Sequence, residues 1–252
     1  MLFICIASFV YGQKSKDGVP RTPKELLMKS YFEIKDKKSV EYNVMYRTTT
    51  SVDKYQHTAH AKAYIQRRIT NEEDNMAYFW VSPIDSYYFF YDLSSVYSVD
   101  RGQKIAIVFE APFFFNSHIM TTNGVPLTEL LWSSFFTPDK LVDKAENASL
   151  QIDKQYDTVI NGVSCYQLLI KFPDDAKYTD HRLTMCFNKS DYMPIYLFSF
   201  IRHDGIYEYS FSSITDYVFD KVDPSKFTKS QIPGDYKIEN YKPQHDDKIH
   251  SR

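Results

Sequence analysis

The chain has little of what most site chemistries need. It holds 7 glycines and 3 cysteines in 252 residues. So few glycines leave no room for a glycine-rich loop cradling a phosphate, and no Gly-x-Ser-x-Gly or HExxH stretch is present. The cysteines form no CxxC pair, which excludes the thioredoxin-type redox motif and the paired-thiolate zinc sites. His57 and His60 stand three apart on an alternating segment, so they project to opposite faces and do not share an ion. His181, His203, His245 and His250 fall at expected strand ends or in the C-terminal tail. No metal or cofactor is expected. There is no excess of positive charge: 30 Lys and Arg against 32 Asp and Glu give a net charge of −2. With no basic cluster beyond Arg67-Arg68, read as a solvated strand end, a nucleic-acid partner is excluded. No run of apolar residues is long enough to cross a bilayer as a helix, and no Gly/Ser or Pro-rich linker divides the chain.

What is abundant is aromatic: 21 Tyr and 19 Phe. Aromatic side chains favour strands, and the strands are legible. Val40, Tyr42, Val44 and Tyr46 alternate with polar neighbours, as do Ala59, Ala61, Ala63 and Ile65. Further strands are expected over 76–81, 86–92, 95–99 and 104–110. From 157 to 227 the chain alternates turn and strand, with Asn161-Gly162 and Asp204-Gly205 as hairpin turns. This is an antiparallel meander.

Two helical segments interrupt it. Thr22-Pro23-Lys24-Glu25 combines an N-cap, a proline at the first helical position and a glutamate three residues beyond the cap. A helix over about 23–37 follows, with Leu27, Tyr31 and Ile34 on one face. A second helical region is expected over 126–145. Its first part carries Leu127, Leu130 and Leu131 on one face, and its second part starts after Thr137 as cap.

The first twelve residues, MLFICIASFVYG, read as a signal peptide with cleavage before Gln13. The alternative is a buried N-terminal strand. The organisation expected is therefore 1–12 signal peptide, 13–21 flexible lead, 22–228 β-domain and 229–252 polar tail. An exported protein of the periplasm or cell envelope follows.

Cys165 and Cys186 remain after cleavage. Pairing about the loop between their strands sets Cys165 opposite a residue near 188, within about one register step of Cys186, both thiols on one side. A disulfide is expected in an oxidising compartment, and two free thiols in a reducing one.

One family combines these features. Gly162, Cys165, Tyr166 and Leu168 lead a strand, Met193-Pro194 opens another, and Phe211, Ile214, Asp223 and Phe227 close the segment. With the leading helix, the long meander and the helical insert, residues 22–228 resemble the LolA/LolB/LppX-like periplasmic lipoprotein carriers. That domain type also stands at the front of some Bacteroidetes thioredoxin-type proteins. The resemblance implies a mainly β (α+β) fold: a curved antiparallel sheet or half-open β-barrel with helices over its concave side. It implies a non-catalytic module that binds a hydrophobic small molecule or a lipoprotein acyl chain as a carrier or sensor, with a possible protein partner in the cell envelope.

On the residues themselves, Tyr42, Val44, Tyr46, Ile107, Phe109, Phe198 and Phe200 would line the concave face beneath Leu127, Leu130 and Leu131, with Phe113–Phe115 as a lip or a buried extension. Two alternatives stand beside this reading. One is a structural or protein-interaction domain with a closed core, serving a thioredoxin-type partner. The other is a hydrolase with a site dispersed over several strands.

Overall fold

The computed structural model describes residues 18–52, 56–67, 78–83, 87–110, 125 and 127–241. The N-terminal apolar run and Phe113–Phe115 lie outside the described residues.

Helix α1 (Pro23–Ile34) leads. Strands β1 (Ser39–Thr50), β2 (His57–Gln66), β3 (Tyr78–Pro83), β4 (Tyr87–Tyr91), β5 (Val96–Asp100) and β6 (Ile105–Phe109) form the first meander. A 3-10 turn (Leu127–Leu130), α2 (Ser133–Phe136) and α3 (Asp139–Glu146) follow. The second meander is β7 (Gln151–Ile160), β8 (Val163–Lys171), β9 (Tyr178–Asn188), β10 (Pro194–His203) and β11 (Ile206–Phe219). Strand β12 (Lys237–Asn240) closes the described chain.

All twelve strands form one curved, unclosed sheet in the order β12-β6-β5-β4-β3-β2-β1-β11-β10-β9-β8-β7. The expected half-open architecture is thus present. Every neighbouring pair is antiparallel except β12 on β6, which is parallel. The two meanders join through β1 and β11, whose long ladder runs from Val40↔Phe219 to Thr50↔Glu208. Both predicted hairpin turns bend through left-handed residues: Asn161 and Gly162 at φ 50° and 80°, Asp204 and Gly205 at 49° and 79°. Two consecutive positive φ values match the twist of the flanking strands.

The leading helix starts as its sequence dictates. The Thr22 hydroxyl accepts from the Glu25 amide at 3.1 Å, and the Glu25 carboxylate accepts from the Arg21 amide at 2.6 Å. Its inner face buries Leu26, Leu27 and Ile34 against the concave side of the sheet. The first part of the expected helical region, running to Phe136, is broken at Leu131. The Tyr42 hydroxyl from the sheet enters the break, donating to the Leu130 carbonyl (3.1 Å) and accepting from the Trp132 amide (2.7 Å). A side chain thus satisfies the groups that a continuous helix would have paired. Thr137 does not cap α3; its hydroxyl donates back to the Ser133 carbonyl at 3.2 Å.

Arg67 is not a solvated strand end. Its Nε donates to the Phe135 carbonyl (2.7 Å) and its Nη1 to the Lys35 carbonyl (2.8 Å), which ties the C-terminal ends of α2 and α1 to β2. Positive charge at two helix C-termini is favourable.

The concave side holds the larger core, from Leu26 and Tyr42 through Phe79 and Phe109 to Leu168 and Phe187. A second core lies on the convex side: Tyr64, Trp80, Tyr88, Phe90, Tyr97 and Val99, covered by Phe227 and Ile232. The segment after Phe227, expected to be a loose tail, supplies that cover as far as residue 232. It then adds β12 to the edge of the sheet.

Candidate functional site

The concave floor is best described as rows running across the strands. Tyr46, Ser212, Leu197, Met185 and Leu168 stand opposite one another in sequence from β1 to β8. The next row is Thr48, Ser210, Ser199, Leu183 and Ile170, and beyond it lie Thr50, Glu208 and Ile201. Tyr46, Met185, Leu168 and Ile170 are buried, whereas Leu183, Leu197, Ser199, Ile201 and Glu208 are half-buried. The first set marks the sealed part of the concavity and the second its open part.

Glu129 lies where the sealed part gives way to the open part. It keeps accessible surface, yet protein crowds it enough to hold its carboxyl above the usual range, through desolvation first and the nearby Glu208 charge second. The Tyr46 hydroxyl lies beside Glu129, Ser210 and Thr48, and is pushed up to about 12 by burial, then by the Glu129 charge. The open trough thus has an apolar tract (Leu183, Leu197, Ile201), a hydroxyl tract (Thr48, Ser199, Ser210, Ser212) and an acidic end (Glu129, Glu208). Two like charges at one end disfavour an anion there. The apolar tract invites a hydrocarbon segment.

Of the ten residues expected to line a ligand cavity, Tyr42, Val44, Phe109 and Leu130 meet in a closed core. Tyr42 is fully buried at the helix break, Leu130 is fully buried and Val44 is 5 % exposed. Phe109 stacks on Tyr241 at 4.8 Å, a partner from beyond the expected domain end. Ile107 is half-buried beside it, and Leu127 stands in the 3-10 turn with its side chain outside the described residues. Tyr46 is buried beside Glu129, and Leu131 is half-buried against the same core.

Phe198 and Phe200 are on the other face. Phe198 pairs with Phe211, which pairs with Arg47, whereas the inward residues of β1 are Tyr42, Val44 and Tyr46. Alternation within β10 is legible in the sequence; its phase is not, because the inward members are Leu197, Ser199 and Ile201. A single strand with large apolar residues in both phases does not reveal which phase is inside. Sequence reasoning also missed Glu129 and Glu208. Each is an unremarkable surface-type carboxylate until the helix break and the β11 register bring them together.

The register expected about the cysteines is present: Cys165 lies opposite Asn188, and Cys186 opposite Gln167. Both thiols are free and buried in the structure, so the expected bridge is not formed in it. They are diagonal rather than directly opposed. Diagonal neighbours are about 7–8 Å apart at Cα, beyond the roughly 4.4–6.8 Å at which disulfides usually form. Burial, then the neighbouring Cys165, pushes the Cys186 thiol up to about 11.

No grouping of His, Cys, Asp and Glu suited to a metal ion occurs among the described residues. No family model matches the chain, and no curated protein matches it in sequence. Among solved structures it is similar to LprF from Mycobacterium bovis, at 10% identity and a TM-score of 0.45, over 85% of this chain and 97% of that one. It is also similar to an uncharacterized conserved protein from Thermus thermophilus, at 8% identity and a TM-score of 0.43, over 86% and 98%. A LolA superfamily protein from Nitrosomonas europaea is similar at 12% identity and a TM-score of 0.38, over 84% and 100%.

Proposed function

We propose that the chain is a non-catalytic extracytoplasmic binding protein that holds a hydrophobic, acyl-type ligand in the open part of its concave trough, as a carrier or sensor in the cell envelope. The observation behind this reading is the tract of half-buried apolar side chains, Leu197, Leu183 and Ile201, which keep accessible surface beside a sealed core. Folding that buries Leu168 and Ile170 completely would ordinarily extend over their neighbours. An acyl chain laid along this tract removes apolar surface from water. The hydroxyl tract and the Glu129–Glu208 end then suit a neutral or cationic head rather than a phosphate or free carboxylate.

The closed-core alternative draws on the sealed half, where the Tyr42 hydroxyl and Leu130 leave no space for a ligand. The two readings separate in one experiment. Mass spectrometry of the purified protein under native conditions should show bound lipid, and a fluorescent monoacylglycerol should bind saturably. Leu197→Trp and Leu131→Trp, which fill the trough, should weaken binding about tenfold, equivalent to about 1.4 kcal/mol. Absence of lipid together with probe binding that ignores both substitutions would leave the closed-core reading. Turnover of the probe's ester that disappears in Glu129→Gln would instead make the protein a hydrolase.

A further inference from the structure

We propose that the outward face of β9, β10 and β11 is a docking surface for an anionic lipid bilayer. The inference is independent of the trough, which lies on the opposite face of the same strands.

The face is a ladder of rings. Tyr196, Phe198 and Phe200 on β10 meet Phe211, Tyr209 and Tyr207 on β11. Centroid separations are 5.5 Å for Tyr196–Phe211, 6.5 Å for Phe198–Tyr209 and 5.1 Å for Phe200–Tyr209. All six are half-buried or exposed, and Tyr209 is 37% exposed. None of the six belongs to either hydrophobic core of the described residues. A contiguous apolar patch left bare on a folded surface marks an interaction site.

Three arginines lie on the rings. Arg47 is 5.1 Å from the Phe211 centroid, Arg182 5.4 Å from Phe200 and Arg202 5.3 Å from Tyr207. Asp180 holds Arg182 in a two-bond pair. Arg47 and Arg202 form no ion pair among the described residues. The Nε of Arg47 is moreover buried with no acceptor, a costly state for a charged donor. A chain of net charge −2 thus sets two guanidinium groups without an ion-pair partner against its half-exposed aromatic face.

That pairing of chemistries selects the occupant. Tyr and Phe rings suit the boundary between headgroups and acyl chains, where aromatic belts collect. Guanidinium groups suit lipid phosphates, which they bind through two parallel hydrogen bonds. A second copy of the chain suits the face less well. A two-fold contact would set this patch against itself and bring arginines together. An acidic protein partner would need apolar groups spaced to the ladder.

The test is co-sedimentation of the full chain with vesicles. Phosphatidylglycerol vesicles should bind about tenfold more tightly than phosphatidylcholine vesicles at low salt, and the preference should shrink as salt rises. Tyr209→Asp should lower binding to both. Arg47→Gln with Arg202→Gln should abolish the preference and leave the aromatic contribution. Tyr209 and Arg202 are exposed, and circular dichroism with a thermal transition verifies the fold of each variant. Leu197→Trp in the trough should leave vesicle binding unchanged, so failure here and failure of the acyl-ligand reading are distinguishable. The proposal is overturned if the wild-type chain ignores both vesicle types, or if the face variants bind like wild type. It is also overturned if sedimentation shows a dimer that Tyr209→Asp dissolves, which would assign the face to a second copy.

Discussion

The convex side of the sheet carries two aromatic ladders with opposite fates. In the first meander, Tyr64, Trp80, Tyr88, Phe90 and Tyr97 are all buried, with Phe90 and Tyr97 stacked at 4.5 Å. In the second, the rings of β10 and β11 stay half-exposed. Residue types and strand periodicity are alike. The difference is residues 224–232. The Asp223 carboxylate accepts from the Ser225 amide at 2.9 Å and starts a 3-10 turn. That turn drops Phe227 within 5.6 Å of Tyr78 and sets Lys226 over the rings of Tyr64 (4.4 Å) and Trp80 (4.7 Å). Tyr88 then donates to the Gln231 carbonyl at 2.6 Å. One ladder became core because a distant segment reached it; the other stayed a surface.

The comparison breaks most visibly at Phe227. It is 2 % exposed, and Phe227→Ala should cost about 3–5 kcal/mol in urea unfolding. Phe198→Ala on the bare ladder should cost about 1 kcal/mol or less. Equal costs would show that the bare ladder is covered in solution.

A second contrast lies across the sheet, between its sealed and open concave halves. Tyr42→Phe removes the hydroxyl that fills the helix break and leaves the buried Trp132 amide without its acceptor. The expected loss is about 1–3 kcal/mol, read by chemical denaturation. The same change at Tyr46, beside the open trough, should cost less.

Glu129 sharpens that boundary through pH. Its carboxyl is held above the ordinary value in the folded chain, so the folded state binds the proton more tightly than the unfolded state does. Stability associated with the protonated group is present below the unfolded value and is lost as pH rises through the folded one. Glu129→Gln escapes that loss. It should raise the melting temperature by about 1 °C at neutral pH, a modest effect for a group that retains solvent contact, and by nothing under acidic conditions where the carboxyl is protonated in both states. A gain independent of pH would assign the effect to packing.

The smallest effect concerns the thiols. Cys165 and Cys186 are buried and free, and burial raises both. They should resist iodoacetamide in the native protein at neutral pH and react fully once it unfolds without reductant. A single bridged species under those conditions would contradict the free pair.

Much of this fold is written in local sequence. The cap at Thr22, the two-residue hairpin turns at Asn161-Gly162 and Asp204-Gly205, and the alternation of β1 and β2 each rest on interactions within a few residues. They are therefore readable from the residues alone. The inward row of β1 is likewise legible, because Glu41 and Asn43 mark the other phase as polar. In β10 nothing marks the phase: Leu197 and Ile201 compete with Phe198 and Phe200. The register to β11, itself set by its pairing with β1, decides between them.

The candidate site shows the same division. Tyr46 and Leu131 stand out from alternation and helical spacing; the first is buried beside Glu129 and the second half-buried against the core. Glu129 and Glu208 do not, since their meeting depends on a helix broken by a tyrosine hydroxyl from 88 residues away. The sequence by itself determined where the chain turns, which segments alternate, and that a helix and a helical insert accompany one long meander. Only the tertiary structure decided which face of β10 is inside, which aromatic ladder is covered, and where the concavity is sealed. Local conformation is set by neighbours along the chain, whereas burial is set by segments that meet across it.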